Sequence, residues 1–183
     1  MIPNTRHGLS PYECVSAMQK HVRRGEELDA MRCFMEMSMT SKNFFSWACN
    51  RLVVISHEDI GIANPVAVMY ATIHIEQARG LYKGPGEDTG AYPMVIGGVI
   101  RLLCRGPKSR ENDHFQAVVA GEQGNDVAPE IPDYAYCHHT HQGKKRGRGL
   151  DFFRQVASKL VPPPAEKDPY EDDAYRYWAQ LQP

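Results

Sequence analysis

The sequence predicts an all-α protein, and three observations carry that reading. Apolar residues recur at intervals of three and four through most of the first 122 residues. Several of these segments open on a capping residue or a proline, and two of them stop at a glycine. One segment is apolar on two adjoining stripes, which places it at the centre of a bundle. With 183 residues, 42% hydrophobic and 23% charged, the chain is long and apolar enough for a packed core. The expected arrangement is a helical domain over residues 8–122 and a partly irregular C-terminal extension over residues 123–183, with a basic loop and short helices.

The first helix starts at Ser10-Pro11-Tyr12-Glu13, where Ser10 and Glu13 have capping-box spacing and Pro11 sits where no donor is needed; it ends at Gly25. The second begins near Glu26 and carries Leu28, Met31, Met35 and Ser38/Met39 at helical spacing. The third, about 43–56, has Phe44, Ala48, Leu52 and Ile55 on one stripe and Phe45, Cys49 and Val53 on the other. Asn64-Pro65 caps a fourth, with Val66, Met69, Tyr70, Ile73 and Gln77 in helical register as far as Gly80. Lys83–Gly90 reads as a loop. The run at about 93–104 could be a strand, but helical surroundings favour a helix, with a close helix–helix approach at Gly97-Gly98. A sixth helix is expected at about 109–122. The extension then loses its period until a short helix at about 150–160, the triplet Pro162-Pro163-Pro164, and a last helix over about 168–181.

Charge and composition exclude several classes. A formal net charge of −1 rules out attachment to nucleic acid by a whole-body positive field, so any such contact needs a local patch. The uncharged stretch Ile60–Ile75 contains Asn64, Pro65 and His74 and is shorter than the ~20 apolar residues of a membrane span. The N-terminus lacks an apolar signal core. Five cysteines, with no CxxC pair, read as free thiols in a reducing cytoplasm.

Four segments are chemically suggestive. Gly84–Gly90 is glycine-rich, but it has no Lys-Ser or Lys-Thr after its last glycine and carries two acids, so it reads as a connector and not as a phosphate loop. Cys137-His138-His139-Thr140-His141, with Asp133, offers donors for a transition metal or for acid–base chemistry. Consecutive histidines in an extended segment point to opposite sides, however, so neither a metal nor a cofactor is expected there. Gly143–Gly149 holds Lys144, Lys145, Arg146 and Arg148 with no acid between them. That segment is either an electrostatic phosphate contact or a loop neutralised by the acidic tail Asp168, Glu171, Asp172 and Asp173. In Ser56–Pro65, the pair Glu58-Asp59 suggests acid–base catalysis or a cation site; the plainer reading is hydrogen bonding at a buried helix junction, with Gly61 turning the chain.

The segment HEDIGIANP also resembles the S-E-D-I-G-L-A-D-P signature in the C-terminal region of RarA/MgsA-type AAA+ ATPases, the replication-associated recombination proteins. Tyr12–Ala17 with Lys20 and Arg23, Asp29-Ala30 with Met35, Arg51-Leu52, and Gly106-Pro107-Lys108-Ser109 resemble that region's other motifs, in the family's order, across residues 8–122. His57 stands for the usual serine and Asn64 for the usual aspartate, and the loop from Lys83 to Tyr92 is longer and richer in glycine. The stretch from Ile131 to Phe153 is similar to extensions on some stand-alone members; the expectation is either a complete chain, which Met1 and the self-contained tail favour, or a fragment.

The resemblance implies an all-helical bundle similar to clamp-loader C-terminal collar domains, one that holds subunits together, commonly as tetramers, in proteins acting on DNA at stalled forks. On it Glu58, Asp59, Gly61, Pro65, Pro107, Lys108 and Ser109 are structural signature residues. The expectation is therefore a non-enzymatic, cytoplasmic oligomerisation module. It would form a dimer or tetramer through an interface of at least ~1,000 Å², partner an AAA+ ATPase, and touch DNA through Lys144, Lys145, Arg146 and Arg148. Met37, Met39 and Trp178 would serve protein contact. The alternatives are a small metal-dependent hydrolase or nuclease using His138, His139, His141 and Asp133 with Glu58 and Asp59, and a structural protein without nucleic-acid contact.

Overall fold

The computed structural model describes residues 2–86 and 91–181, and among them all regular structure is helical, with no strand. Residues 1–126 and 127–183 form two compact units. Among the described residues no helix is long and apolar enough to cross a membrane.

In the first unit, α1 (Pro11–Arg24) begins as expected at Pro11, but the Ser10 side chain makes no capping bond, so the capping box does not form. The helix ends where Gly25, at φ 76°, turns the chain left-handed and donates its amide to Val22 O at 3.2 Å. Its inner face is Cys14, Val15, Met18 and Val22. Helix α2 (Glu27–Ser38) buries Ala30, Phe34 and Met37, so its core face is rotated from the predicted one; Leu28 is exposed, while Met31 and Met35 are only partly covered. Met37, expected at a contact surface, is wholly buried. Helix α3 (Lys42–Ile55), capped by Ser41 Oγ accepting from Phe44 N at 3.1 Å, buries Phe44, Phe45, Ala48, Cys49, Leu52 and Ile55, which confirms it as the central element.

The chain leaves α3 through a π-helical turn (Ser56–Ile60) and a 3-10 turn (Gly61–Ala63), then enters α4 (Pro65–Leu81). Asn64 caps α4 as predicted, its Oδ1 accepting from Ala67 N at 3.1 Å. The buried face of α4 is nevertheless Ala67, Ala71, Ile75 and Ala78. Val66, Met69 and Ile73, the larger apolar residues of the predicted pattern, lie 73%, 64% and 53% exposed. Alanines face inward because α4 and its neighbours approach closely; the bulkier stripe stays exposed among the described residues.

Helix α5 (Ala91–Arg105) settles the strand-or-helix ambiguity in favour of helix. A Cβ on Gly98 would lie 3.3 Å from Tyr70 Oη, so the close approach expected at the glycine pair falls at Gly98, while Gly97 has open space. The loop before α5 is described only to residue 86, so both acids of the expected connector, Glu87 and Asp88, lie outside the described residues. Around the start of α5, Phe45 stacks on Tyr82 at 3.8 Å and meets Tyr92 edge-on at 5.5 Å. Tyr82 Oη donates to Ser38 O at 2.7 Å. This cluster ties α2, α3, the end of α4 and α5 together, each aromatic pair adding about 1 kcal/mol beyond its burial. Helix α6 (Glu111–Gly124) buries no residue, leaving Phe115 and Val118 exposed.

The N-terminal segment is anchored by Glu36 on α2. Glu36 accepts from His7 N at 3.1 Å and lies 2.6 Å from His7 Nδ1. Burial alone would raise the Glu36 pKa, but hydrogen bonds from Thr5 and His7 hold it down, at about 2. A carboxylate depressed in the folded state stabilises above its unfolded pKa and loses that contribution as pH falls towards the folded value. Glu36→Gln is therefore expected to cost about 2–3 kcal/mol at neutral pH. That difference should shrink between about pH 4.5 and about pH 2, as read by thermal melts of both proteins across the acid range.

The second unit contains a 3-10 turn (Asp133–Ala135), α7 (His141–Lys145), the single turn α8 (Leu150–Phe152) running into a π-helical turn (Phe153–Ala157), and α9 (Glu171–Leu181). Its buried side chains among the described residues are few: Cys137 and Tyr175.

Candidate functional site

The signature segment folds as a closed junction in the first unit. Because α3 widens into a π-helical turn at Ser56–Ile60, Glu58 and Asp59 come within reach of α1. Arg23 binds both: its Nε lies 2.5 Å from Asp59 Oδ1 and its Nη2 lies 2.6 Å from Glu58 Oε1. Gln19 donates to Asp59 Oδ2 at 2.9 Å. Asp59 is only 1% exposed. Burial opposes the charge on Arg23, but Asp59 and Glu58 outweigh it and hold the guanidinium above its ordinary pKa. The carboxylates are thus occupied by one fork-shaped cation and an amide, the geometry of a structural tie. Gly61, at φ 47° and ψ −129°, turns the chain as expected, and a Cβ there would fall 2.8 Å from Asn112 Nδ2.

The segment Gly106–Ser109 meets the signature segment in space. Ser109 N donates to the backbone oxygen of Asp59 at 3.0 Å. Lys108 Nζ donates to Cys104 O at 2.7 Å and to Gly106 O at 3.2 Å, closing the C-terminal end of α5, and Ser109 Oγ accepts from Glu111 N at the start of α6. Asn112 then donates to His57 O at 3.2 Å. Pro65 opens α4. Of the seven signature residues, then, Glu58, Asp59, Gly61, Lys108 and Ser109 serve a single junction that sets the directions of α4, α5 and α6. The spacing of the motifs gave no hint that they touch.

The basic stretch of the second unit divides into two pairs. Arg146 Nη1 lies 2.7 Å and Arg148 Nη2 lies 2.6 Å from the two carboxylate oxygens of Asp133. Arg148 also donates to Asp133 O and Tyr136 O, and its guanidinium covers the Phe152 ring at 4.1 Å. Arg146 lies 4.3 Å over Tyr136. Lys144 and Lys145 are exposed and make no ion pair among the described residues. Neutralisation therefore comes from Asp133 and not from the acidic tail, whose Asp172 pairs with Arg154 and Lys167.

The histidine segment departs most from expectation. Residues 137–140 form a turn, with Thr140 N and Thr140 Oγ each donating to Cys137 O at 3.0 Å, and Thr140 Oγ capping α7 by accepting from Gly143 N at 3.0 Å. A Cβ on Gly143 would sit 1.9 Å from Cys137 O, so the backbones pack directly on each other. On this turn His138 and His139 face the same side, ring centroids 3.8 Å apart, with Phe153 edge-on to both. Cys137 Sγ lies 3.3 Å from His139 Nδ1. Burial first, then His139 and Lys144, lower the His138 pKa. His141 begins α7 and Asp133 is committed to arginine, so neither joins the group. Of the residues expected at a contact surface, Trp178 is exposed and Met39 partly so, whereas Met37 is buried.

All five cysteines are free thiols. Burial pushes Cys49 up to about 12 and Cys33 and Cys104 up to about 11, so these three are poor nucleophiles and poor metal ligands.

No family model matches the chain. Over 152 residues, 80% of its length, it is 26% identical to replication-associated recombination protein A of Bacillus subtilis (strain 168), and the match spans 33% of that protein. The chain thus corresponds to about a third of its relative, a partial match consistent with the C-terminal region that the sequence motifs point to.

Proposed function

We propose that this chain is a non-enzymatic assembly module of the kind found in the C-terminal part of RarA-type AAA+ proteins, working in DNA replication and recombination. The similarity over 80% of the chain supports the family context. The observation that carries the assembly role is the outward stripe Val66, Met69 and Ile73 on α4, which keeps large apolar side chains in solvent while alanines fill the core. Such a stripe suits an isologous contact, α4 against α4 of a second copy, in a dimer or tetramer. The Arg23–Asp59 junction would then be the scaffold that aims α4, with no catalytic duty. Lys144 and Lys145 are the cations left for a DNA phosphate backbone; Arg146 and Arg148 serve the fold of their own unit. An AAA+ ATPase is the expected partner, in the cytoplasm.

Light scattering at ~50 and ~300 mM salt, with and without a short forked DNA, tests this reading, since salt weakens phosphate contacts far more than apolar ones. The expected result is a salt-insensitive dimer or tetramer that takes up DNA only at low salt, with uptake lost in Lys144→Glu/Lys145→Glu. A monomer that ignores DNA in both salts would refute it.

A further inference from the structure

The second unit has very little core of its own. Residues 127–183 bury only Cys137 and Tyr175 among their described side chains, and in a unit with so small a core a disulfide, a metal or an oligomeric contact adds a large share of the stability. A disulfide is not available, because Cys137 is the sole cysteine in that part of the sequence.

The same unit places three metal-ligating side chains together. One donor atom each from Cys137, His138 and His139 can be chosen so that all three lie within 4.8 Å of one another. Cys137 Sγ and His139 Nδ1 are already 3.3 Å apart, near the separation of two ligands on one tetrahedral ion. His138 Nδ1 is buried and has no hydrogen-bond partner, an orphaned lone pair or N–H of the sort that native structures rarely leave unsatisfied. The turn is held by Thr140 and by the backbone contact at Gly143, so the backbone that carries the donors is set before any ligand arrives. A cavity of about 310 Å³, lined by His138, His139, Leu150, Phe153, Trp178 and Leu181, adjoins them.

We infer that Cys137, His138 and His139 form a binding site for one zinc ion, whose occupancy stabilises the C-terminal unit. A thiolate and two imidazoles are a borderline-soft donor set suited to Zn²⁺. With three protein ligands, the ion completes its shell with water, for which the adjoining cavity has room. Binding displaces the Cys137 thiol proton to solvent, so affinity rises with pH. The inference is independent of the assembly role proposed above.

The test uses the full chain, freed of metal by a chelator and titrated with Zn²⁺ by calorimetry and with Co²⁺ by absorption spectroscopy. Expected are one ion per chain, a dissociation constant of about 1 μM or lower, and the visible bands of tetrahedral Co²⁺ with a thiolate charge-transfer band. Cys137→Ser and His139→Ala should each weaken binding by more than about 100-fold, whereas His141→Ala should leave it unchanged. Should the ligand variants fail to fold, ring ¹⁵N shifts of the wild-type chain decide instead: zinc should move His138 and His139 and leave His141 in place. Hydrogen exchange in residues 134–157 should slow on zinc addition. Absence of stoichiometric binding, an octahedral Co²⁺ spectrum without a sulfur band, binding undiminished in Cys137→Ser, or zinc-induced shifts confined to other histidines would overturn the site.

Discussion

Asp59→Ala is expected to destabilise the N-terminal unit by about 3–5 kcal/mol, the usual cost of removing one partner from a buried ion pair. The loss has three sources. Arg23, only 27% exposed in its side chain, keeps Glu58 but loses the more deeply buried oxygen. Gln19 loses its acceptor, and a cavity opens beneath the π-helical turn. Glu58→Ala should cost about 1 kcal/mol or less, because Glu58 is partly solvated and Asp59 still holds Arg23. Urea unfolding followed by Trp47 fluorescence in a Trp178→Phe background measures both. The order of the two effects discriminates between readings of the acid pair. A catalytic dyad is commonly a stability liability, and its removal would be neutral or stabilising; a structural tie gives the large asymmetric loss.

Val66→Glu combined with Met69→Glu is expected to abolish self-association, raising the dissociation constant by at least about 100-fold, while leaving the fold intact. Both side chains already lie in solvent, so their replacement should change the stability of the isolated chain by no more than about 0.5 kcal/mol. In an isologous contact each substitution occurs on both sides of the axis, so four carboxylates would be brought together where apolar surface should meet, at a cost of several kcal/mol. Circular dichroism should show unchanged helix content alongside the loss of mass.

The central position of α3 was legible because its two adjoining stripes make an apolar face wide enough to meet several neighbours, with only Lys42, Asn43, Asn50 and Val54 left exposed, and the Asn64 cap and the Gly25 stop depend on neighbouring residues alone. The inner face of α4 was not legible, because hydrophobicity ranks Val66, Met69 and Ile73 above alanine whereas close helix packing selects for small size, and Ala67, Ala71 and Ala78 fill the core positions. On α2 the face that buries Ala30 also buries Phe34 and Met37, so neither size nor hydrophobicity separates it from the face of Leu28 and Met31. The tie between Glu58-Asp59 and a basic neighbour was foreseeable as chemistry, but its partner Arg23 lies 36 residues from Asp59 and no spacing rule points to it. The basic loop was legible as charge alone; that Asp133 and not the tail neutralises Arg146 and Arg148 depends on the turn after Tyr136. The placement of the two histidine rings was not legible, because an extended backbone points consecutive side chains to opposite sides whereas Thr140 and Gly143 fold the segment into a turn that sets both rings on one side.

The central claim is that α4 carries a self-association surface, and sedimentation equilibrium of the purified chain at ~300 mM salt across a wide concentration range tests it most directly. The account predicts a mass that is a whole multiple of 20.7 kDa, two or four chains, at all but the lowest concentrations. It also predicts collapse to one chain in the Val66→Glu/Met69→Glu variant. A single chain of 20.7 kDa at every concentration, or an assembly indifferent to those two substitutions, would contradict it.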